Sequence, residues 1–127
     1  RFHAAKVSHA PEVVVWGTGT PLREFLFVDD LADACVHLMK VYSGESHINV
    51  GTGVDLPIAD FARLIAKVVG YEGRITFDTN RPDGTPRKLL DVSRLAALGW
   101  RAPTGLEDGL RRFYAWYLAN IDQLRAA

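Results

Sequence analysis

Cysteine and methionine occur once each in the 127 residues, as Cys35 and Met39. A lone cysteine excludes an internal disulfide and a cysteine-built zinc cluster, and it fits a reducing, cytoplasmic setting. The four histidines, His3, His9, His37 and His47, share no metal-ligand spacing, so no metal site is expected. Neither sign of charge prevails: 15 lysines and arginines face 15 aspartates and glutamates. With no basic tract, the chain lacks the electrostatic footprint of a nucleic-acid binder. It has no apolar run of the roughly 18 residues that a membrane helix needs, and no signal-peptide pattern. The motifs of unaided catalysis are missing too. There is no P-loop, no Gly-x-Ser-x-Gly elbow and no His-Glu-x-x-His, and Tyr71, Tyr114 and Tyr117 each lack a lysine four residues on. No set of residues here makes or breaks a covalent bond by itself, and no catalytic residue is assigned.

What is present is enough for a core. At 48% hydrophobic residues, and a length typical of one domain, the chain is able to bury substantial apolar surface. Four segments have helical periodicity. Asp29 and Asp30 are read as caps for a helix with Leu31, Ala34, Cys35, Leu38 and Met39 on one stripe. A second helix opens near Pro57, carries Ile58, Phe61, Ala62, Ile65, Val68 and Val69, and stops at Gly70. A short third runs from about Val92 to Leu98, before Gly99. The fourth begins with Thr104-Gly-Leu-Glu107, the pattern of a capping box, and continues through Leu106, Leu110, Phe113, Tyr117, Leu118 and Ile121. At the start, Arg1 to His9 has helix-forming composition without a start signal, and is read as the tail of a helix that begins upstream. The expectation is therefore a C-terminal piece of something longer.

Strand candidates alternate with these helices: Val13–Trp16, Glu24–Val28, His47–Val50, Arg74–Phe77 and Lys88–Asp91. That alternation predicts an α/β arrangement with some parallel pairing. The runs Gly17-Thr-Gly19 and Gly51-Thr-Gly53 follow strand candidates, yet a dinucleotide fingerprint needs a third glycine where Leu22 and Leu56 stand; they are read as turns.

The densest chemistry lies in Trp16-Gly-Thr-Gly-Thr-Pro-Leu-Arg23-Glu-Phe. An indole and a guanidinium seven residues apart, across a glycine-rich turn, suit a ligand with both a ring and a phosphate. Each also has a plainer reading, Trp16 as a core aromatic and Arg23 as a surface or ion-paired residue. Asp29-Asp30 is read as a helix-start pair rather than an acid–base pair. The loop Arg81-Pro-Asp83-Gly-Thr-Pro-Arg87-Lys88 is either a solvated loop or a lid in which Asp83 accepts hydrogen bonds from a sugar or base and Lys88 counters phosphate.

Arg1-Phe-His, the run from Val13 to Asp30, His47-Ile-Asn-Val-Gly-Thr-Gly53 and Arg81-Pro-Asp-Gly-Thr-Pro-Arg-Lys-Leu-Leu-Asp91 together resemble the C-terminal part of the GDP-L-fucose synthase family, within the extended short-chain dehydrogenase/reductases. The resemblance covers essentially the whole chain, 1–127. It implies an α/β fold that forms the C-terminal substrate-binding portion of an NAD(P)-binding Rossmann-type enzyme, with the Rossmann core itself largely absent. Residues 1–53 would include elements that normally pack on the cofactor domain, and 54–127 most of the substrate domain. The family converts GDP-4-keto-6-deoxy-D-mannose to GDP-L-fucose by 3,5-epimerisation and NADPH-dependent reduction. Carried over residue by residue, its nucleotide-sugar contacts fall on Arg1, Trp16, Arg23, Asp83 and Lys88. The family's glycine-rich NADP(H) loop, its Ser…Tyr-x-x-x-Lys set and its epimerisation cysteine and histidine have no counterpart here. The resemblance thus implies a GDP-sugar ligand, a Rossmann domain supplied from outside this sequence, a homodimer when intact, no nucleic-acid or membrane partner, and no turnover by this chain alone. The alternatives are a non-catalytic nucleotide-sugar-binding module and a piece of a UDP- or dTDP-sugar epimerase or dehydratase. Unpaired strand edges and apolar faces are expected to stand exposed.

Overall fold

The computed structural model describes residues 1–125 and has an α/β architecture built from short elements. In chain order these are α1 (Phe2–Val7), β1 (Glu12–Trp16), β2 (Leu22–Glu24), α2 (Val28–Val41), β3 (Asp55–Pro57), α3 (Ile58–Val69), β4 (Arg74–Asp78), β5 (Arg87–Lys88), α4 (Ser93–Ala97) and α5 (Leu106–Arg125). Strands β1 and β4 pair in parallel, with Val13 opposite Ile75 and Trp16 opposite Asp78 at their carboxyl ends. A second sheet has the order β3-β2-β5: β3 is antiparallel to β2 and β5 parallel to it.

Two apolar clusters hold these layers. In the first, Ala5, Val13, Ala66, Val69 and Tyr71 are buried where α1 and α3 cover the β1–β4 ribbon. Helix α3 ends as its sequence predicts, with Gly70 in the left-handed conformation at φ 72°. Its Lys67 reaches Glu107 on α5. The second cluster joins α2 to α4 through Ala34, Leu95 and Trp100, with Leu26, Leu38, Ile48 and Val50 against them.

Several sequence expectations are corrected. The strand expected over Glu24–Val28 lies earlier, at Leu22–Glu24. Its partners β3 and β5 are only three and two residues long, so the ladder ends at Glu24. Phe25 then stacks on Phe61, with ring centroids 3.6 Å apart. His47–Val50 forms no strand among the described residues; Ile48 and Val50 reach the second cluster from a loop. Strand β5 covers Arg87–Lys88 alone, and β3, which ends in a proline at a sheet edge, has no alternation to announce it.

The caps differ too. Phe27 occupies the N-cap of α2, while Asp29 and Asp30 lie in its first turn. Asp30 is buried, and its two oxygens accept from the Thr104 backbone N–H at 3.0 Å and the Thr104 hydroxyl at 2.7 Å. Thr104 is therefore tied to α2 and not to Glu107, whose carboxylate takes Lys67 and Arg111 instead. No capping box forms, because both of its side chains have long-range or exposed charged partners.

The expected stripe on α2 is also divided. Ala34 and Leu38 face the second cluster, whereas Leu31, Cys35 and Met39 are exposed, Met39 at 84%. On α5, Phe113 and Leu118 are likewise exposed. No helix among the described residues is long and apolar enough to cross a membrane, and no group of three or more metal-ligating side chains occurs among them.

Candidate functional site

Strands β1 and β4 both end at one edge of their ribbon, and the chain turns there twice. Gly17 N–H donates to the Asp78 carbonyl at 2.9 Å, and Arg81 N–H donates to the same carbonyl at 3.1 Å. The two turns are therefore anchored on one atom, beyond the carboxyl ends of parallel strands, where open α/β sheets commonly place ligands.

From this anchor the loop Asp78–Lys88 runs alongside the stretch Trp16–Arg23. Asp83 bridges the two: its Oδ1 accepts from Thr18 N–H at 2.8 Å and its Oδ2 from the Thr18 hydroxyl at 2.7 Å. The approach requires glycine at position 17, where φ is 83° and a Cβ would overlap Asp83 Oδ1. Further along, Gly84 lies against the Arg23 guanidinium, and the Pro86 carbonyl accepts from Leu22 N–H at 2.8 Å. The loop closes by pairing β5 with β2, which sets Arg23 and Lys88 opposite each other in register.

Of the five residues singled out in the sequence, Arg1 is brought onto Trp16, Asp83 onto the turn after Trp16, and Arg23 and Lys88 into register with each other. The Arg1 guanidinium carbon is 5.2 Å from the Trp16 ring centroid, within cation–π range, and Arg1 Nη1 donates to the Val14 carbonyl at 3.3 Å. Trp16 is 59% exposed and is no core residue. Arg23 is half-buried, its Nη1 donating to the neighbouring Leu22 carbonyl at 2.6 Å. Asp83 and Lys88 are exposed. Among the described residues, no carboxylate lies within 4.0 Å of the Arg1, Arg23 or Lys88 cation. By contrast, Arg87, the other cation of the loop's end, is held by Asp55 at 2.6 Å, which keeps its pKa above the ordinary arginine value.

Sequence reasoning missed three residues. Thr18 is the partner of Asp83. Arg81 places its guanidinium carbon 5.1 Å from the Trp16 ring centroid, a second cation on the same indole. Glu24 is the third. Its Oε1 accepts from Thr52 N–H, from the Thr52 hydroxyl at 3.1 Å and from Gly53 N–H at 2.6 Å, and its Oε2 accepts from Leu90 N–H at 2.9 Å. Partial burial pushes its carboxyl up, but these hydrogen bonds, led by Leu90, outweigh that and hold it below its ordinary value. The two Gly-Thr-Gly runs were the available signal. Each is a turn, as expected, and each holds a carboxylate of the chain itself, Asp83 in one and Glu24 in the other.

Replacing Gly17 with alanine is expected to break the Thr18–Asp83 contact and cost about 1–3 kcal/mol, the usual strain for a left-handed position forced on a side chain plus the lost approach. A urea midpoint unchanged from that of the parent chain would show that the loop does not rest on this turn.

A cavity of about 680 Å³ lies elsewhere, between the β2–α2 connection and α5. Its lining is mainly apolar, with Phe25, Phe27, Phe61, Trp100 and Leu110, and includes none of the five residues. It offers no convergent cations, so the surface around Trp16 is the better candidate.

Comparison with known proteins shows what the chain is similar to. Residues 1–51 match the NAD dependent epimerase/dehydratase family. The chain is 59% identical over 123 residues to a putative GDP-L-fucose synthase 2 of Arabidopsis thaliana, aligning 97% of this chain with 38% of that protein. It is 55% identical over 134 residues to the GDP-L-fucose synthase of Escherichia coli K12, 98% of this chain against 42% of that one. A crystal structure of a GDP-L-fucose synthetase from Naegleria fowleri bound to NADP superposes with a TM-score of 0.89 at 26% identity, over 95% of this chain and 38% of that one. In sequence and in fold the chain is therefore similar to part of the NAD dependent epimerase/dehydratase class of proteins. Within that class it is similar to the GDP-L-fucose synthases, and it spans about 38% of the length of the Arabidopsis relative.

Proposed function

We propose that this chain supplies the nucleotide-sugar-binding side of a GDP-L-fucose synthase. One observation supports the reading above others: an exposed indole with Arg1 on it lies past the ends of two parallel strands, and Arg23 and Lys88 stand in register on the strands that follow each turn, all three cations without a carboxylate partner among the described residues. Arg1 and Arg23 bind the diphosphate, Trp16 gives apolar contact, and Lys88 adds a countercharge. Asp83 closes the loop over the nucleotide. The similarity to GDP-L-fucose synthases points to a GDP-sugar as the ligand, and the family resemblance implies the reaction, conversion of GDP-4-keto-6-deoxy-D-mannose to GDP-L-fucose.

In the whole enzyme, gripping the diphosphate fixes the keto-sugar beside the hydride donor, a contribution of position and not of bond-making. NADP(H) belongs to that whole enzyme, in the cytoplasm and as a homodimer. The glycine turns of this chain do not fit the cofactor: Leu22 and Leu56 stand where the third glycine of a dinucleotide-binding loop is needed. The cofactor domain is assigned to the exposed side of α2, where Leu31, Val36 and Met39 lie open. Residues 1–53 then contribute elements to that contact, while 54–127 form most of the substrate domain.

Calorimetry with GDP and UDP tests the reading. GDP is expected to bind and UDP to bind more weakly, and Arg23→Ala should weaken GDP about tenfold or more, as loss of a charge-assisted hydrogen bond does. Equal binding of GDP and UDP would move the assignment to another nucleotide-sugar, and absence of GDP binding would end it. NADPH oxidation by this chain alone is expected to be nil; a measurable rate would overturn the division of labour.

A further inference from the structure

Within the nucleotide-sugar reading above, on which this rests, we propose that His3 is a positioning residue: through Tyr114 it sets how α1 lies on α5, and so where Arg1 points. His3 itself does not touch the ligand.

Three observations carry it. First, α1 depends on its neighbours for its existence and its orientation. It has six residues, Phe2–Val7, and no side-chain hydrogen bond caps its start. A helix so short does not persist in water without tertiary contacts. Arg1 is its N-cap residue, and the Arg1 carbonyl accepts from Ala5 N–H at 2.8 Å, so the Arg1 side chain is carried by the first turn.

Second, Arg1 has little else to fix it. Its Nη1 donates to the Val14 carbonyl at 3.3 Å, longer than the usual range for such a bond, and its guanidinium carbon stands 5.2 Å from the exposed Trp16 ring.

Third, the two sides of α1 are held by contacts of different kinds. On one side Ala5 is buried with Ala66 and Val69, and Phe2 meets Tyr71 edge-on, with ring centroids 5.9 Å apart. Lys6 Nζ donates to the Val69 carbonyl at 2.7 Å, but from the last turn, away from Arg1. Apolar contact has no preferred direction, so it leaves the first turn free to pivot. On the other side His3 ties the helix to α5. Its Nδ1 lies 3.0 Å from the Tyr114 hydroxyl, and its ring stands edge-on to Tyr117, with centroids 5.2 Å apart. No other side-chain hydrogen bond joins α1 to α5 among the described residues. Burial pushes the Tyr114 hydroxyl up from its ordinary pKa, so at neutral pH it keeps its proton and donates it to Nδ1 of a neutral imidazole. This bond is directional, and it fixes the rotation that the apolar side leaves open.

The test is calorimetry of the 127-residue chain with GDP, each variant's melting temperature being recorded alongside. His3→Phe keeps a ring against Tyr117 but removes the hydrogen-bonding nitrogen. It is expected to weaken GDP about threefold to tenfold, as is Tyr114→Phe, and the two together no more than either alone. His3→Asn places an amide oxygen where Nδ1 stood and should return most of the affinity. In the Arg1→Ala background His3→Phe should add no loss, because His3 acts through Arg1. His3→Phe with parental GDP affinity overturns the proposal while leaving the nucleotide-sugar reading intact. A further loss in the Arg1→Ala background, in step with a falling melting temperature, overturns it as a structural effect. His3→Asn as weak as His3→Phe overturns it too, since the bond to Tyr114 would then not be what matters. If the parent chain binds no GDP, the underlying reading fails and takes this one with it.

Discussion

Trp100→Ala is expected to cost about 3–5 kcal/mol of folding stability, the range for truncating a buried tryptophan. Trp100 is 6% exposed and packs on Leu95 and Ala34, which are 1% and 0% exposed. These residues form the centre of the second cluster, so truncation leaves a void against Ala34 and Leu95. Its indole Nε1 also donates to Asp33 Oδ2 at 2.8 Å, so truncation removes the partner of a carboxylate on α2. The loop at Ile48 and Val50 packs against the same cluster and should loosen with it. Urea denaturation checks the size of the effect. Trp116→Ala provides the contrast, because Trp116 is 51% exposed on α5 and should cost under about 1 kcal/mol. Equal shifts for the two tryptophans would mean that the second cluster is not a core.

Glu24→Gln should have the next largest effect, about 2–3 kcal/mol at neutral pH, because it removes a charge that accepts four hydrogen bonds and turns an amide donor toward another donor. The amide oxygen is able to serve Thr52 and Gly53, but its NH₂ then meets the Leu90 N–H. Three segments meet at this carboxylate: β2, the Gly51–Gly53 turn and the connection after β5. Gly51 is glycine because a Cβ there would overlap the Glu24 carboxylate.

The pH dependence follows from the direction of the shift. Glu24 has its folded pKa below the ordinary 4.5, so its stabilisation is present above that value and is lost as pH falls through the lower folded one. The gap in melting temperature between the parent and Glu24→Gln should therefore be full at neutral pH and shrink in acid, below about pH 4. A gap that stayed constant down to about pH 2 would show that the carboxylate's charge is not what the three segments share.

Helices were the most legible part of the sequence. Ile58 to Val69 has a regular apolar spacing and ends in glycine, and both signals are local, so α3 appears where they place it. Strands were less legible because a strand's identity depends on what pairs with it. Phe25, Leu26 and Phe27 are apolar enough for a buried strand, yet the ladder stops before them because β3 and β5 are too short to continue it. Thr104 and Glu107 have the spacing of a capping box, but Asp30 and Lys67, distant in sequence, offer stronger charged partners.

The site divides in the same way. Trp16, Arg23, Asp83 and Lys88 were legible as residue types in glycine-rich context, and the resemblance to a known family gave them a shared ligand. Arg81 stood in the same loop and was passed over, because nothing local distinguishes a cation above an indole from one in solvent. Glu24 was hidden by its neighbour Arg23, and its partners lie about 28 and 66 residues away.

By itself the sequence determined the α/β class, most of the helical segments, and the two glycine runs as turns. These follow from composition and from spacings within a few residues, which short-range sterics and hydrophobic periodicity govern. The tertiary structure alone decided that Asp83 faces Thr18, that Glu24 fills the second glycine turn, and that Arg1 and Arg81 share Trp16. The Asp83–Thr18 and Glu24–Thr52 contacts join residues 65 and 28 positions apart, and the pairing of β1 with β4 and of β2 with β3 and β5 brings them within reach.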